Sequence, residues 1–267
     1  MIKNNKNIEN LPCKCRSSVV NFVSQWNSNE NFLGALLVGS YATGLNNNQS
    51  DLDILIILND KVKYWKRGNI RTEKFLIEYG IYPTNYLKYL EKKDEIEGKR
   101  LRTRMLATGK IIFDDFGIIK KLQKEARKSL IFKLPKTNRI ETELRKYTLW
   151  DQLDNLIYLD SIKSPGFLYT YYVGIQNTIQ YYSDSLGVEI PRPNNIFLFL
   201  NSEEFCDKYY LKKFPDKYFK KLFIQALKNP NIIKFQTLTE YTQKQFGGFS
   251  IDNWELSGKT KQATQKK

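Results

Sequence analysis

Histidine is absent from this sequence of 267 residues. Its absence excludes Ser-His-Asp and Cys-His catalysis, imidazole proton shuttles and histidine-ligated zinc, because each of these needs an imidazole ring. An enzyme with this sequence must therefore perform acid–base chemistry with aspartate, glutamate, lysine or tyrosine side chains. Carboxylate chemistry assisted by a metal ion is the main route that remains.

Cysteines and long apolar runs are also scarce. The three cysteines, Cys13, Cys15 and Cys206, cannot form a disulfide framework, and Cys13-x-Cys15 alone is a poor zinc site. No apolar run approaches the roughly 18 residues of a membrane span, and the beginning of the sequence has no hydrophobic signal-peptide segment. We therefore expect a cytoplasmic protein that does not enter a membrane.

Positive charge is what the sequence has in excess, with 43 Lys and Arg against 28 Asp and Glu and a formal net charge of +15. The excess suggests a polyanionic partner such as a nucleic acid. The joint abundance of Lys, Asn and Ile is, however, also typical of an AT-rich genome, and attraction of a nucleoside triphosphate would account for part of the charge equally well. Lysines also outnumber arginines, whereas dedicated phosphate-binding surfaces favour arginine.

Residues 32–60 are the stretch around which the rest of the sequence is organised. Two apolar runs, Leu33–Val38 and Ile54–Leu58, predict strands. Between them come Gly39-Ser40, which predicts a tight turn, and a polar loop. The stretch therefore reads as strand, turn, loop and strand.

Two carboxylates mark the beginning of the second of these strands. Side chains alternate along a strand, so Asp51 and Asp53 should point to one face and Leu52 to the other. Two neighbouring carboxylates repel each other and are costly to desolvate. A shared divalent cation explains them most simply, and Mg²⁺ is the cation that suits hard oxygen ligands of this kind.

A third carboxylate lies in the next apolar run. The segment Asp60–Arg71 reads as a polar connection with a turn at Gly68-Asn69, and Phe75–Tyr82 then predicts a third strand. Glu78 is the acid in the middle of that strand. It either completes the metal site beside the two aspartates or faces solvent from an edge strand.

Residues 85–108 have a helical pattern with acids early and four basic residues late. Those basic residues are Lys99, Arg100, Arg102 and Arg104. Their order complements a helix dipole, so a solvated helix face and phosphate contact are both compatible with the pattern. A short strand at 110–113 and a further helix to about residue 128 are predicted next.

The periodicity breaks near Lys133-Leu134-Pro135, and no convincing strand alternation follows. Strong helical patterns cover 139–161 and 167–186, with more helices beyond them. We predict an α+β fold in which a small mixed β-sheet with flanking helices is followed by an all-α helical bundle. The predicted domains span 1–130 and 131–247, and 248–267 is predicted to be a flexible basic tail.

The pattern of Gly39-Ser40 followed by Asp51-Leu52-Asp53, with Glu78 on a third strand, resembles the DNA polymerase β-like nucleotidyltransferase superfamily. The resemblance covers roughly residues 16–128. The helical second half is similar to the substrate domain of kanamycin-type (aminoglycoside) nucleotidyltransferases. The sequence lacks the arginine-rich motif of CCA-adding tRNA enzymes, and it has no P-loop and no Gly-x-Gly-x-x-Gly motif.

The resemblance implies a role for each residue of the motif. Asp51, Asp53 and Glu78 would hold Mg²⁺, with one or two ions, against a nucleoside triphosphate, of which ATP is the expected one. Gly39 and Ser40 would bind the nucleotide, the glycine by letting the backbone approach its phosphates and the serine by lying in a turn of backbone N–H groups. A substrate hydroxyl would attack the α-phosphorus, and pyrophosphate would leave.

The resemblance also offers a general base for the acceptor hydroxyl. Leu149-Trp150-Asp151 falls where kanamycin-type enzymes carry an aromatic residue followed by the catalytic glutamate, so Asp151 is the candidate. It shares a helix face with Asp154. The replacement of glutamate by aspartate leaves the alternative that Asp151 is a solvent-facing helix acid.

We therefore expect a cytoplasmic Mg²⁺-dependent enzyme that transfers a nucleoside monophosphate, from ATP, to a hydroxyl of a small molecule such as an aminoglycoside-like antibiotic. The alternative keeps the chemistry and changes the acceptor to a protein or tRNA, as in toxin–antitoxin nucleotidyltransferases. A third interpretation is a nucleotide- or nucleic-acid-binding module without turnover. The oligomeric state, including a homodimer, stays open.

Overall fold

The computed structural model describes residues 6–132 and 134–258. These residues divide into two compact units. The first contains the chain up to residue 132 together with 202–212, and the second contains 134–201 and 213–258. The domain boundaries drawn from the sequence stay predictions, and residues 259–267 of the predicted tail lie outside the described residues.

Strands and helices alternate in the first unit, whereas helices make up the second. The strands are β1 (Phe32–Val38), β2 (Leu52–Leu58), β3 (Lys66–Arg71), β4 (Leu76–Pro83) and β5 (Lys110–Asp114). The helices are α1 (Arg16–Ser24), α2 (Gly39–Thr43), α3 (Thr84–Ile96), α4 (Leu101–Thr108), α5 (Ile118–Ser129), α6 (Arg139–Ser161), α7 (Phe167–Leu186), α8 (Ile196–Asn201), α9 (Glu203–Lys208), α10 (Lys217–Lys228) and α11 (Ile232–Gln245). Short 3-10 helices cover Lys6–Asn10 and Pro193–Asn195.

The strands of the first unit form a single five-stranded sheet in the order β3-β4-β2-β1-β5. β2 and β4 run parallel, and the other neighbours are antiparallel. Together with the helices of the second unit, this mixed sheet confirms the predicted α+β fold.

The central strand β2 is apolar because both faces of the sheet are covered. Ile54 and Ile56 belong to a core that includes α1, whereas Leu55 and Ile57 belong to a core that includes residues of α3, α4 and α5. A strand that is buried on both sides reads as a continuous apolar run. Each fully buried Leu or Ile side chain contributes about 1.5–3 kcal/mol, so this strand anchors the unit.

The structure corrects two local predictions. The segment read as a polar connection with a turn contains β3, and 85–108 forms two helices rather than one. β3 is an edge strand with mostly exposed residues, so it can carry Lys and Arg without the apolar alternation that marks a half-buried strand. The helix is interrupted at Gly98, whose φ of +69° lies in the left-handed region.

The second unit packs aromatic side chains between its helices. Tyr171, Phe219, Phe223 and Phe235 are among its fully buried residues. Gly174 of α7 lies so close to Phe235 of α11 that a Cβ at position 174 would come 2.6 Å from the ring. The two helices can pack this closely here because glycine has no side chain. Within the described ranges, no helix has the length and apolar character needed to cross a membrane.

Candidate metal and nucleotide site

The pairing of β2 with β4 brings the predicted acids together. Asp53 lies opposite Glu78 in the parallel register of the two strands. Asp51, just before β2, points to the same face as Asp53 because side chains alternate, and Leu52 between them is fully buried on the other face. One carboxylate oxygen of each acid lies within 4.8 Å of the others. We call Asp51, Asp53 and Glu78 the acid cluster.

Gly39 fits against the acid cluster because it has no side chain. β1 ends at Val38, which is paired with Asp53, and the chain turns at Gly39 with a φ of +70°. A Cβ at position 39 would overlap the Oδ2 atom of Asp53. Glycine therefore allows both the left-handed conformation and the close approach of the backbone to this carboxylate.

Ser40 lies in the short helix α2 rather than in a simple turn. The helix follows β1 directly and is capped at its C-terminal end by Gly44, whose φ is +73°. The first backbone N–H groups of a helix have no partner within it. The half-buried Ser40 and its backbone N–H therefore lie at the start of α2, directly after the glycine that touches the acid cluster.

The donor chemistry of the acid cluster fits Mg²⁺. Three carboxylates that converge within 4.8 Å repel one another unless a cation balances them, and Mg²⁺ prefers oxygen ligands of this kind. Each acid is partly exposed, so an ion can reach the oxygens. The lack of a side chain at Gly39 lets the Asp53 carboxylate keep its position in the acid cluster.

Arg67 is a neighbour of the acid cluster that the sequence analysis missed. Its Nη2 atom lies 3.4 Å from Oε2 of Glu78, and about two-thirds of its side chain is exposed. It was missed because β3 was read as a loop. The signal was present in the alternation of Arg67, Asn69 and Arg71, which places these polar side chains on the face that carries Glu78.

The arginines of α4 and its N-cap are engaged within the first unit. Arg102 donates to Asp94 at 2.5 Å, and Arg100 donates to the carbonyl oxygen of Ser129 at 3.2 Å. Arg104 is buried and donates to the carbonyl oxygens of Tyr209 and Tyr210. These contacts give the three arginines structural roles.

Asp151 lies on α6 in the second unit and is partly exposed. Its carboxylate accepts a hydrogen bond from Nδ2 of Asn155 at 3.3 Å, and the same amide donates to the backbone carbonyl of Asp151 at 2.9 Å. The acid cluster contains residues of the first unit alone. The role of Asp151 as general base therefore stays a prediction.

Comparison with known proteins bears on the first part of the chain. The family model described as nucleotidyltransferase domain matches residues 21–146, just under half of the chain. Among solved structures, the chain is similar to a nucleotidyltransferase-like protein from Exiguobacterium sibiricum, with 14% sequence identity and a TM-score of 0.42. That similarity covers 86% of this chain and 77% of the other. No curated protein matches the sequence.

Proposed function

We propose that this chain, a transferase enzyme, moves a nucleoside monophosphate from ATP to a hydroxyl group of a small molecule. Residues 21–146 match the family model described as nucleotidyltransferase domain, which supports this proposal. An aminoglycoside-like antibiotic is the most concrete acceptor. The observation that carries the donor side of this proposal is the acid cluster, with its carboxylate oxygens within 4.8 Å of one another beside Gly39.

The acid cluster would hold Mg²⁺ together with the phosphates of ATP. When bound, the ion would neutralise phosphate charge during the transfer. Gly39 keeps the backbone close to this position, and Ser40 with the first N–H groups of α2 would bind phosphate oxygens. Catalysis would consist mainly of positioning and charge neutralisation, as in other phosphoryl transfers.

The acceptor hydroxyl oxygen would form a new bond to the α-phosphorus while the bond from that phosphorus to the oxygen of the leaving pyrophosphate breaks. The hydroxyl proton must pass to a base, because an alcohol is a weak nucleophile. In this proposal the base is Asp151. Its partial exposure and its single carboxylate contact with Asn155 are compatible with accepting a proton.

A purified protein incubated with ATP, Mg²⁺ and a panel of aminoglycosides tests the proposal through pyrophosphate release. We expect release that depends on one or more members of the panel, and none with the Asp53→Asn variant. If pyrophosphate is released without any panel member, and labelled nucleotide appears on tRNA or protein in a lysate, the acceptor is a macromolecule rather than a small molecule. No release and no labelled product would contradict it.

A further inference from the structure

Four aromatic rings of the first unit form one cluster, in which Tyr86 stacks against the other three. Trp65, just before β3, is parallel to Tyr86 of α3, with an interplanar angle of 3° and 6.0 Å between ring centroids. Tyr86 also stacks on Tyr82 at 6.1 Å and on Tyr89 at 5.8 Å. We call Trp65, Tyr82, Tyr86 and Tyr89 the aromatic ladder.

Two of the three rings that contact Tyr86 are open to solvent. Trp65 is 54% exposed and Tyr89 is 59% exposed, and the neighbouring Tyr64 is 56% exposed. Core packing does not require aromatic side chains at such positions, and adjacent exposed rings mark a binding surface. The faces of Trp and Tyr rings are suited to stacking on nucleobases.

The segment that carries the ladder is rich in cations. Residues 60–93 contain nine Lys and Arg against four Asp and Glu, so this segment alone carries five of the fifteen net positive charges. Two of the four acids are already engaged. Asp60 accepts hydrogen bonds from Thr84 and Asn85 at 2.7 Å, and Glu78 belongs to the acid cluster.

Exposed cations lie close to one ring of the ladder. Lys92 and Lys93 lie three and four residues after Tyr89 on α3, and residues three and four apart share a helix face. Both lysines are exposed. Positive charge therefore lies next to the exposed ring of Tyr89.

We propose that the aromatic ladder and the lysines next to Tyr89 bind single-stranded nucleic acid. Unpaired bases would stack on the exposed rings, and the lysines would contact phosphates, which is how sequence-independent single-strand binders achieve affinity. A free nucleotide offers one base, whereas the ladder offers two exposed rings, those of Trp65 and Tyr89. A duplex keeps its bases stacked on each other and cannot use the rings.

The ladder and the acid cluster share strand β4. Tyr82 lies four residues after Glu78, on the same face and about 13 Å along the strand. A bound single strand would therefore lie within a few nucleotides of the acid cluster. The inference does not depend on the proposed function, because binding is measured without ATP and without a divalent metal.

Fluorescence anisotropy of a labelled single-stranded RNA of about 12 nucleotides tests the proposal in EDTA. We expect binding that weakens about tenfold or more in the double variant Trp65→Ala/Tyr89→Ala and that falls steeply between about 50 and 200 mM salt. Tyr169→Ala is the matched control, because Tyr169 is 78% exposed in the second unit. It should bind as the wild type does.

Tryptophan fluorescence gives an independent readout. Among the four tryptophans of the chain, Trp65 is the exposed one, and the other three are partly buried. RNA should quench wild-type fluorescence, and Trp65→Phe should remove most of the quenching while it keeps the binding, because phenylalanine still stacks. Absence of RNA binding, equal binding of duplex, or unchanged binding by a folded double variant would each overturn the proposal.

Discussion

Carboxylates have opposite surroundings in the two units. In the first unit, the oxygens of the acid cluster converge within 4.8 Å, and the contact of Glu78 with exposed Arg67 balances part of the charge. In the second unit, Asp216 accepts hydrogen bonds from the hydroxyls of Tyr182 and Tyr241 at 2.6 and 2.7 Å. It also caps α10 by accepting from two backbone N–H groups at 2.9 Å.

The contacts of Asp216 stabilise the fold, whereas the acids of the acid cluster repel one another. Burial alone would raise the pKa of the Asp216 carboxyl, but hydrogen bonds from the two tyrosines and the start of α10 outweigh it and leave the pKa below its usual value. Asp216 thereby links α7, α10 and α11. The acid cluster instead concentrates negative charge, which favours binding of a cation over stability of the free protein.

The largest expected effect is on turnover. Asp53→Asn removes one carboxylate of the acid cluster and should lower turnover about 1,000-fold or more, equivalent to about 4 kcal/mol of transition-state stabilisation. The melting temperature should stay the same or rise, because the substitution relieves repulsion. Steady-state kinetics and thermal melting of the same preparation measure both. If the variant loses activity because it unfolds, Asp53 has a structural role like that of Asp216.

Gly39→Ala should damage fold and site together. The new methyl group would overlap Oδ2 of Asp53, and the φ of +70° is strained for alanine. We expect a loss of about 2–3 kcal/mol in the free energy of unfolding and a clear loss of turnover. Gly98→Ala is the matched control, because Gly98 has a similar φ but no atom within 4 Å of the added Cβ. It should lose stability without losing activity.

Asp216→Ala should destabilise the second unit by about 2–4 kcal/mol, because it leaves two partly buried tyrosine hydroxyls and two backbone N–H groups without their acceptor. Asn231→Ala removes the cap of α11 alone and should cost about 1 kcal/mol. Urea unfolding of both variants checks the difference. Equal losses would show that the tyrosine contacts add nothing to the cap.

The hydrogen bonds around Asp216 should also make the free energy of unfolding depend on pH. Because the pKa of folded Asp216 lies below the unfolded value of 3.8, its contribution is present above that pH and is lost as the pH falls through the folded pKa. Burial and the contact with Asp216 raise the pKa of Tyr241 to about 12, so its contribution is present below pH 10 and is lost as the pH rises toward 12. In the Asp216→Asn variant, the free energy of unfolding should change less with pH than in the wild type, in both the acidic and the alkaline range. Unfolding curves measured across pH check this.

A modest effect is also expected from Mg²⁺, which should stabilise the wild type. At a free concentration about ten times the dissociation constant, an ion that binds the folded state adds about 1.4 kcal/mol, which raises the melting temperature by about 3–5 °C. Asp53→Asn should show a smaller shift, and Asp216→Asn the full one. An equal shift in all three proteins would contradict binding at the acid cluster.

Much of the first unit could be predicted from the sequence because its signals are local. Apolar runs marked β1, β2 and β4, and the spacing of Asp51 and Asp53 placed both on one strand face. Edge strand β3 was missed, and Arg67 with it, because exposed strand residues need no apolar alternation. The break at Gly98 was missed because one glycine within a helical pattern is often tolerated.

The sequence by itself determined which acids are available and, through the absence of histidine, that no imidazole takes part in an acid–base step. Tertiary structure decided which of them meet. Four features join residues that are distant in the chain. They are the register that sets Asp53 opposite Glu78, the contact of Gly39 with Asp53, the hydrogen bonds of the tyrosines to Asp216 and the stacking of Trp65 on Tyr86. Such contacts follow from strand pairing and side-chain packing, which the local periodicity of a sequence does not encode.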